Sequence, residues 1–221
     1  MTNNLSIVIL AAGKGSRMKS TKAKVLHNIS GRPMLYHIIK ESLKLSDDVN
    51  IVVSHQKESV IDQIGALFNN INFITQDIEN YPGTGGALKN LKVKHADVLV
   101  LNGDMPLITA ESLKGFLNNS SDITMSIFDL ENPSGYGRVA INNNQVDYIV
   151  EEKDASIDEL NISTVNAGIY CFKSSLLEKY IPLLKNSNAQ NEYYLTDLIA
   201  MAKNDSLSIT PLLVDEEYFK A

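Results

Sequence analysis

Leu10-Ala11-Ala12-Gly13-Lys14-Gly15-Ser16-Arg17-Met18-Lys19-Ser20-Thr21-Lys22-Ala23-Lys24-Val25-Leu26 follows directly on the apolar run Ile7-Val8-Ile9. No acidic residue interrupts the stretch, and it carries Lys14, Arg17, Lys19, Lys22 and Lys24 beside Gly13 and Gly15. A buried strand that runs into a glycine-rich, purely basic loop suits a polyphosphate. Glycine lets backbone N–H groups approach anionic oxygens, and the cations neutralise them. On this stretch alone, a tight strand-to-helix turn with solvated lysines explains the residues equally well.

Two common phosphate-loop patterns fail here. The P-loop spacing G-x-x-x-x-G-K-[ST] and the dinucleotide fingerprint G-x-G-x-x-G both require glycine where Met18 stands.

Outward from the loop, the chain has 221 residues, of which 44% are hydrophobic and 21% charged. That is enough for one domain with a substantial core. A net charge of −6 excludes a basic face for nucleic acid, so the positive charge is local and suits a small anionic ligand. The single cysteine, Cys171, excludes an internal disulfide and a cysteine-based metal site, and its apolar surroundings mark a buried thiol. The amino terminus has no basic region, and the apolar run after it is too short for a signal or membrane helix. A cytoplasmic protein without a membrane partner is the expectation.

The pattern alternates. Strands are expected over residues 6–12, 50–54, 71–75 and 97–101. Helices are expected from Pro33 to Leu45, from Lys57 to Phe68, and briefly from Gly85 to Leu91. Further on, strands are expected over 123–130, 138–141, 145–151, 165–172 and 207–214, with a hairpin around Asn142-Asn143-Asn144. Helices are expected over 109–117, 174–184 and 191–203. The fold class is α/β: a Rossmann-like, mixed but mostly parallel sheet with helices on both faces. One domain covers 1–221. The first half, about 1–110, is expected to bind a nucleotide and the second, about 111–221, the other substrate (a sugar, on the resemblance described below), with the site above the carboxyl ends of the strands.

A second marker is Leu99-Val100-Leu101-Asn102-Gly103-Asp104-Met105-Pro106. A hydrophobic strand ends in a carboxylate that faces the basic loop, which suits Mg²⁺ held between protein and phosphates. The competing role for Asp104 is a cap on the following helix; the basic loop tips the balance to metal. A D-x-D glycosyltransferase signature is excluded, because Asp104-Met105-Pro106 offers one carboxylate. His27, His37, His55 and His95 are scattered and receive no catalytic role.

Leu10–Met18 with Lys24 resembles the signature of the sugar-nucleotide pyrophosphorylases, L-A-A-G-x-G-[ST]-R-M…[PK]-K, with Ala23 where proline often precedes the lysine. The second marker resembles that family's G-D-x-P-L run. Gln76 with Tyr81–Ala87 resembles Q…G-T-[AG]-x-A of its uridylyl and thymidylyl members, with about two extra residues between Gln76 and Gly83. Ser134–Arg138 resembles the G-Y-G-R turn, Ile149–Ala155 resembles I-V-E-x-K-D-A, and Val165–Ile169 resembles [IV]-N-[TA]-G-[IV]. Asn188–Asp197 resembles N-A-Q-G-E-Y-Y-L-T-D of the N-acetylglucosamine-1-phosphate uridylyltransferase domain of bifunctional bacterial enzymes, with Asn191 in place of glycine. The resemblance spans residues 5 to about 214.

The resemblance implies the nucleotidyltransferase fold and a uridylyltransferase that forms UDP-N-acetylglucosamine and pyrophosphate from UTP and N-acetylglucosamine 1-phosphate, for cell-envelope precursors. It implies Arg17 and Lys24 as catalytic residues and Asp104 as a Mg²⁺ ligand. Leu10, Ala11, Ala12, Gly13, Gln76, Gly83, Thr84, Asn102 and Gly103 are implied around the nucleotide. Gly137, Glu151, Asn166, Tyr194 and Thr196 are implied around the sugar. In the family, a β-helix acetyltransferase domain that builds a trimer follows, as does an asparagine-bearing segment that ligates Mg²⁺; neither is expected in this chain. Two alternatives stay open: another sugar-1-phosphate nucleotidyltransferase, making UDP-glucose or dTDP-glucose, and a non-catalytic nucleotide-sugar sensor.

Overall fold

A computed structural model of the chain describes residues 4–13, 15, 20–117 and 120–219. Its centre is β1 (Leu5–Leu10), flanked in parallel by β4 (Asp48–Val53) and β6 (Asp97–Asn102). Side chains of a strand alternate between the two faces of its sheet. Leu5, Ile7, Ile9, Leu99 and Leu101 enter one core cluster, while Val8, Val98 and Val100 enter the other. Burial on both faces explains why these strands read as unbroken apolar runs. Each such side chain contributes roughly 1.5–3 kcal/mol through its removal from water.

Beyond β4 lies β5 (Asn72–Thr75), also parallel. On the other side of β6 come β10 (Thr164–Lys173), β7 (Ile123–Asp129) and β11 (Ile209–Leu213), giving the order β11-β7-β10-β6-β1-β4-β5. β10 runs antiparallel to β6 and β7, whereas β11 is parallel to β7. The expected hairpin is β8 (Arg138–Asn142) with β9 (Gln145–Val150), turned by Asn143 and Asn144 at φ 50 and 58°. Asparagine tolerates that left-handed geometry.

Helices cover both faces. α1 (Met34–Ser42) and α2 (Lys57–Gly65) bury Leu35, Ile38, Ile39, Val60 and Ile64 in the first core. α5 (Ser174–Tyr180) and α6 (Asp197–Asn204) bury Leu177, Tyr180, Leu198 and Ile199 in the second. Short helices α3 (Lys114–Leu117), α4 (Ile157–Leu160) and α7 (Glu216–Phe219) complete the set. No helix among the described residues is long and apolar enough to cross a membrane.

Several local expectations are corrected. Pro33 lies just outside α1 and pairs in a small hairpin of β2 (Asn28–Ile29) and β3 (Arg32–Pro33), whose turn places Ser30 and Gly31 at φ 51 and 80°. The helix expected from Gly85 to Leu91 is a single 3-10 turn, Gly86–Leu88. Only Lys114–Leu117 of the segment 109–117 is α-helical. The helix expected from Asn191 begins at Asp197, because Asn191 has φ 56° and the Tyr193 backbone is committed elsewhere. The Tyr193 N–H donates to Pro82 O at 2.9 Å, and its carbonyl accepts from Gly85 N–H at 2.8 Å.

Candidate active site

The carboxyl ends of β1 and β6 open into a cleft of about 860 Å³. β1 stops at Leu10, and the chain turns through Ala11, Ala12 and Gly13 along the cleft wall. Ala11 N–H still donates to Val52 O at 2.8 Å, and Gly103 N–H donates to Leu10 O at 2.9 Å, so the two strand ends are tied together. Gly103 serves this close approach: a Cβ there would lie 3.0 Å from Leu10 O. Asn102 and Asp104, on either side of it, line the cleft.

Lys24 enters the same cleft from the 3-10 turn Lys24–Leu26, whose Val25 and Leu26 are buried. Gln56 holds this turn from outside: its Oε1 accepts from Ala23 N–H at 2.9 Å, and its amide donates to Thr21 O. Gly15, at φ +57°, packs so closely that an added Cβ would lie 2.8 Å from Lys24 Cβ. Lys24 Nζ donates to Asp104 Oδ2 at 2.5 Å. Of the remaining basic residues of the loop, Lys22 is exposed, and Lys14, Arg17 and Lys19 lie outside the described residues.

Gln76, nearly buried, lies across the cleft and donates to Tyr81 O at 2.9 Å and Gly83 O at 3.0 Å. Two carbonyl partners engage both amide hydrogens and fix the orientation of the amide. Its Oε1 acts as acceptor only. Gly83 (φ +90°) leaves room for the segment behind it: a Cβ would come within 2.7 Å of Tyr193 O. Thr84 Oγ1 accepts from Leu195 N–H at 3.1 Å.

A smaller pocket of about 200 Å³ adjoins the cleft and shares Leu10, Thr84 and Asn102 with it. Gly137, Glu151, Asn166 and Thr196 line it together, although they come from four separate stretches of chain. Glu151 accepts from Thr196 Oγ1 at 3.0 Å. Burial pushes its carboxyl above the usual carboxylate range, and the neighbouring charges of Asp154, Asp197 and Glu192 add to this; the Thr196 hydrogen bond opposes it. Asn166 Oδ1 accepts from Gly168 N–H at 2.9 Å, in a bulge of β10 where Gly168 stands at φ +81°. A Cβ on Gly168 would lie 2.4 Å from Asn102 Nδ2.

Tyr194 lines neither cavity. Its hydroxyl donates to Asp154 Oδ2 at 3.2 Å and accepts from Gln190 Nε2 at 2.9 Å, bracing the segment that carries Thr196. Cys171 lines neither cavity, and burial pushes its thiol up to about 12. Met105, Gly135, Tyr136 and Tyr170 also wall the small pocket. The sequence motifs contain the first three only as neighbours of singled-out positions.

Among the described residues no group of three or more His, Cys, Asp or Glu could hold a metal ion. Asp104 offers one carboxylate to the cleft. That donor set fits a hard cation that takes most of its oxygens from phosphates and water, and does not fit a cation caged by protein alone.

Residues 7–152 match the MobA-like NTP transferase domain. The chain is 61% identical over 218 residues to the bifunctional protein GlmU of Sulfurimonas denitrificans, covering 99% of this chain and 50% of that protein. It is 57% identical over 217 residues to the bifunctional protein GlmU of Wolinella succinogenes, covering 98% and 50%. The chain thus spans about half the length of the curated relatives it matches. The structure of the inositol-1-phosphate CTP transferase from T. maritima superimposes with a TM-score of 0.74 at 14% identity, over 96% of this chain and 86% of that one, a likeness of fold.

Proposed function

The chain belongs to the MobA-like NTP transferase domain family, and from that premise we propose that it transfers a uridylyl group from UTP to N-acetylglucosamine 1-phosphate. The products are UDP-N-acetylglucosamine and pyrophosphate. The observation that carries this reading is the pair of joined cavities. A nucleotide-sized cleft holding Lys24 and Asp104 shares a wall with a pocket holding Glu151, Asn166 and Thr196.

The base lies toward Gln76, Gly83 and Thr84. With its donors engaged, Gln76 offers only Oε1. That oxygen accepts the N3–H of uracil, whereas cytosine presents a bare ring nitrogen there, and two acceptors repel. The triphosphate lies over Leu10 to Gly13, which line the cleft beside Lys24.

The sugar phosphate occupies the small pocket. The Glu151 carboxylate accepts hydrogen bonds from sugar hydroxyls, Asn166 supplies an amide, and Thr196 holds the Glu151 carboxylate in place. The attacking phosphate is largely dianionic near neutral pH, because its second pKa is about 6, so no general base is needed. The family resemblance adds Arg17 on the leaving pyrophosphate. A divalent cation, Mg²⁺ in our reading, supplies charge neutralisation on the phosphates when held by Asp104. Lys24 turns from Asp104 to the phosphates and holds the negative charge that builds at the reacting phosphorus. Catalysis is positioning plus electrostatic stabilisation. Pyrophosphate release from UTP with a panel of sugar 1-phosphates tests the assignment.

A further inference from the structure

Tyr170 follows the β10 bulge and stacks on Phe172, with ring centroids 5.5 Å apart and planes at 18°. It is 2% exposed and walls the small pocket. Among the described residues its hydroxyl is a buried polar group with no hydrogen-bond partner. The polar groups acting on that hydroxyl are the Asn166 side chain and the Glu151 carboxylate, both walls of the same pocket. Burial, chiefly, and the Glu151 charge push its ionisation well above the ordinary tyrosine range, against the opposing pull of the nearby Asn166 amide, which makes no well-formed hydrogen bond to it; the group remains a neutral O–H donor. A buried hydroxyl without a partner is destabilising, and a phenylalanine ring would fill the same space without that cost. Bulges beside a site commonly re-aim a side chain toward it.

We propose that Tyr170 is a positioning residue of the sugar pocket. Its hydroxyl completes a hydrogen-bonded chain with the Asn166 amide and the Glu151 carboxylate when a sugar engages those two groups. The Asn166 Nδ2–H donates to the Tyr170 oxygen, because Asn166 Oδ1 is already held by Gly168 N–H. The Tyr170 O–H then donates to Glu151, whose remaining oxygen faces the sugar hydroxyls. The inference rests on the sugar-pocket reading above and extends it to a residue that touches the ligand only through its neighbours.

The test compares wild type with Tyr170→Phe, which keeps the ring and its stack on Phe172. Calorimetric affinities for UDP and for UDP-N-acetylglucosamine are measured with both proteins, together with thermal melting. The expected result is melting at or slightly above wild type and unchanged UDP affinity, with nucleotide-sugar affinity weakened about 5- to 30-fold. In turnover, KM for the sugar phosphate rises while KM for UTP stays the same. An unchanged ratio of the two affinities overturns the proposal, as does an equal loss for both ligands. Should Tyr170→Phe melt early, Tyr170→Met removes the same hydroxyl and is read by the same ratio. A wild-type protein that releases no pyrophosphate contradicts the proposed activity instead, and the affinity ratio still decides the role of Tyr170.

Discussion

Lys24 Nζ lies 2.5 Å from Asp104 Oδ2, joining residues 80 positions apart across the mouth of the cleft. The lysine comes from the loop after β1 and the aspartate from the end of β6, so the pair is a product of the parallel β1–β6 ladder. It sets a competition: the carboxylate proposed to hold a cation is also the lysine's counter-ion.

Lys24→Ala should lower kcat for pyrophosphate release by about 10²–10³, the usual magnitude for one preorganised charged contact. The side chain is 32% exposed, so its removal should leave the thermal midpoint nearly unchanged. A folded variant of near-normal rate would remove Lys24 from the chemistry.

The same substitution should strengthen binding of Mn²⁺ as a probe cation in the absence of nucleotide, by about two- to fivefold, because Asp104 loses a partly exposed competitor. Asp104→Asn should weaken it and remove turnover. Electron paramagnetic resonance titration measures both, and equal Mn²⁺ affinity in Asp104→Asn and wild type would exclude Asp104 as the ligand.

Glu151 carries a pH signature. Its folded-state pKa is raised, chiefly by burial, so the folded protein holds its proton more tightly than the unfolded chain does. The ionised form therefore destabilises the fold. Stability from this group is greatest at low pH and falls as pH rises from the ordinary carboxylate range through the raised value. Glu151→Gln should flatten melting profiles above the ordinary carboxylate range and raise the midpoint at neutral pH, while raising KM for the sugar phosphate. A variant less stable than wild type at neutral pH contradicts the assignment of the strain to charge burial.

Gly83→Ala should disturb both ligands at once. The position has φ +90°, and the new Cβ would meet Tyr193 O at 2.7 Å and Glu192 Cβ at 2.8 Å. Separating these segments costs about 1–3 kcal/mol of stability and loosens the Gln76 clamp together with the Thr84–Leu195 contact. KM should rise for UTP and for the sugar phosphate. A rise confined to one of them would show that the two loops act independently.

Much of this site was legible before any fold was known. The glycine-rich turn after a buried strand and the aspartate ending β6 stand out together as a basic loop facing a carboxylate, although each alone reads equally as a turn or a helix cap; Lys24 is singled out among the loop's lysines only by the family resemblance. The gathering of Gly137, Glu151, Asn166 and Thr196 followed from resemblance alone, since each is unremarkable in its own segment. Gln56 was invisible: its clamp on Thr21 and Ala23 is a long-range contact with no local pattern. The helix expected at Asn191 failed because tertiary hydrogen bonds to Pro82 and Gly85 override local propensity. Tyr170 read as one more apolar strand residue, and only its burial without a partner sets it apart.

The most direct test is a comparison of kcat/KM for pyrophosphate release from UTP with N-acetylglucosamine 1-phosphate and with glucose 1-phosphate. A pocket built for the acetamide leaves polar groups unpaired when glucose is bound, typically about 1–3 kcal/mol for each group. The account predicts a clear preference for N-acetylglucosamine 1-phosphate, by at least about fivefold. Equal specificity constants, or a preference for glucose 1-phosphate, would contradict it.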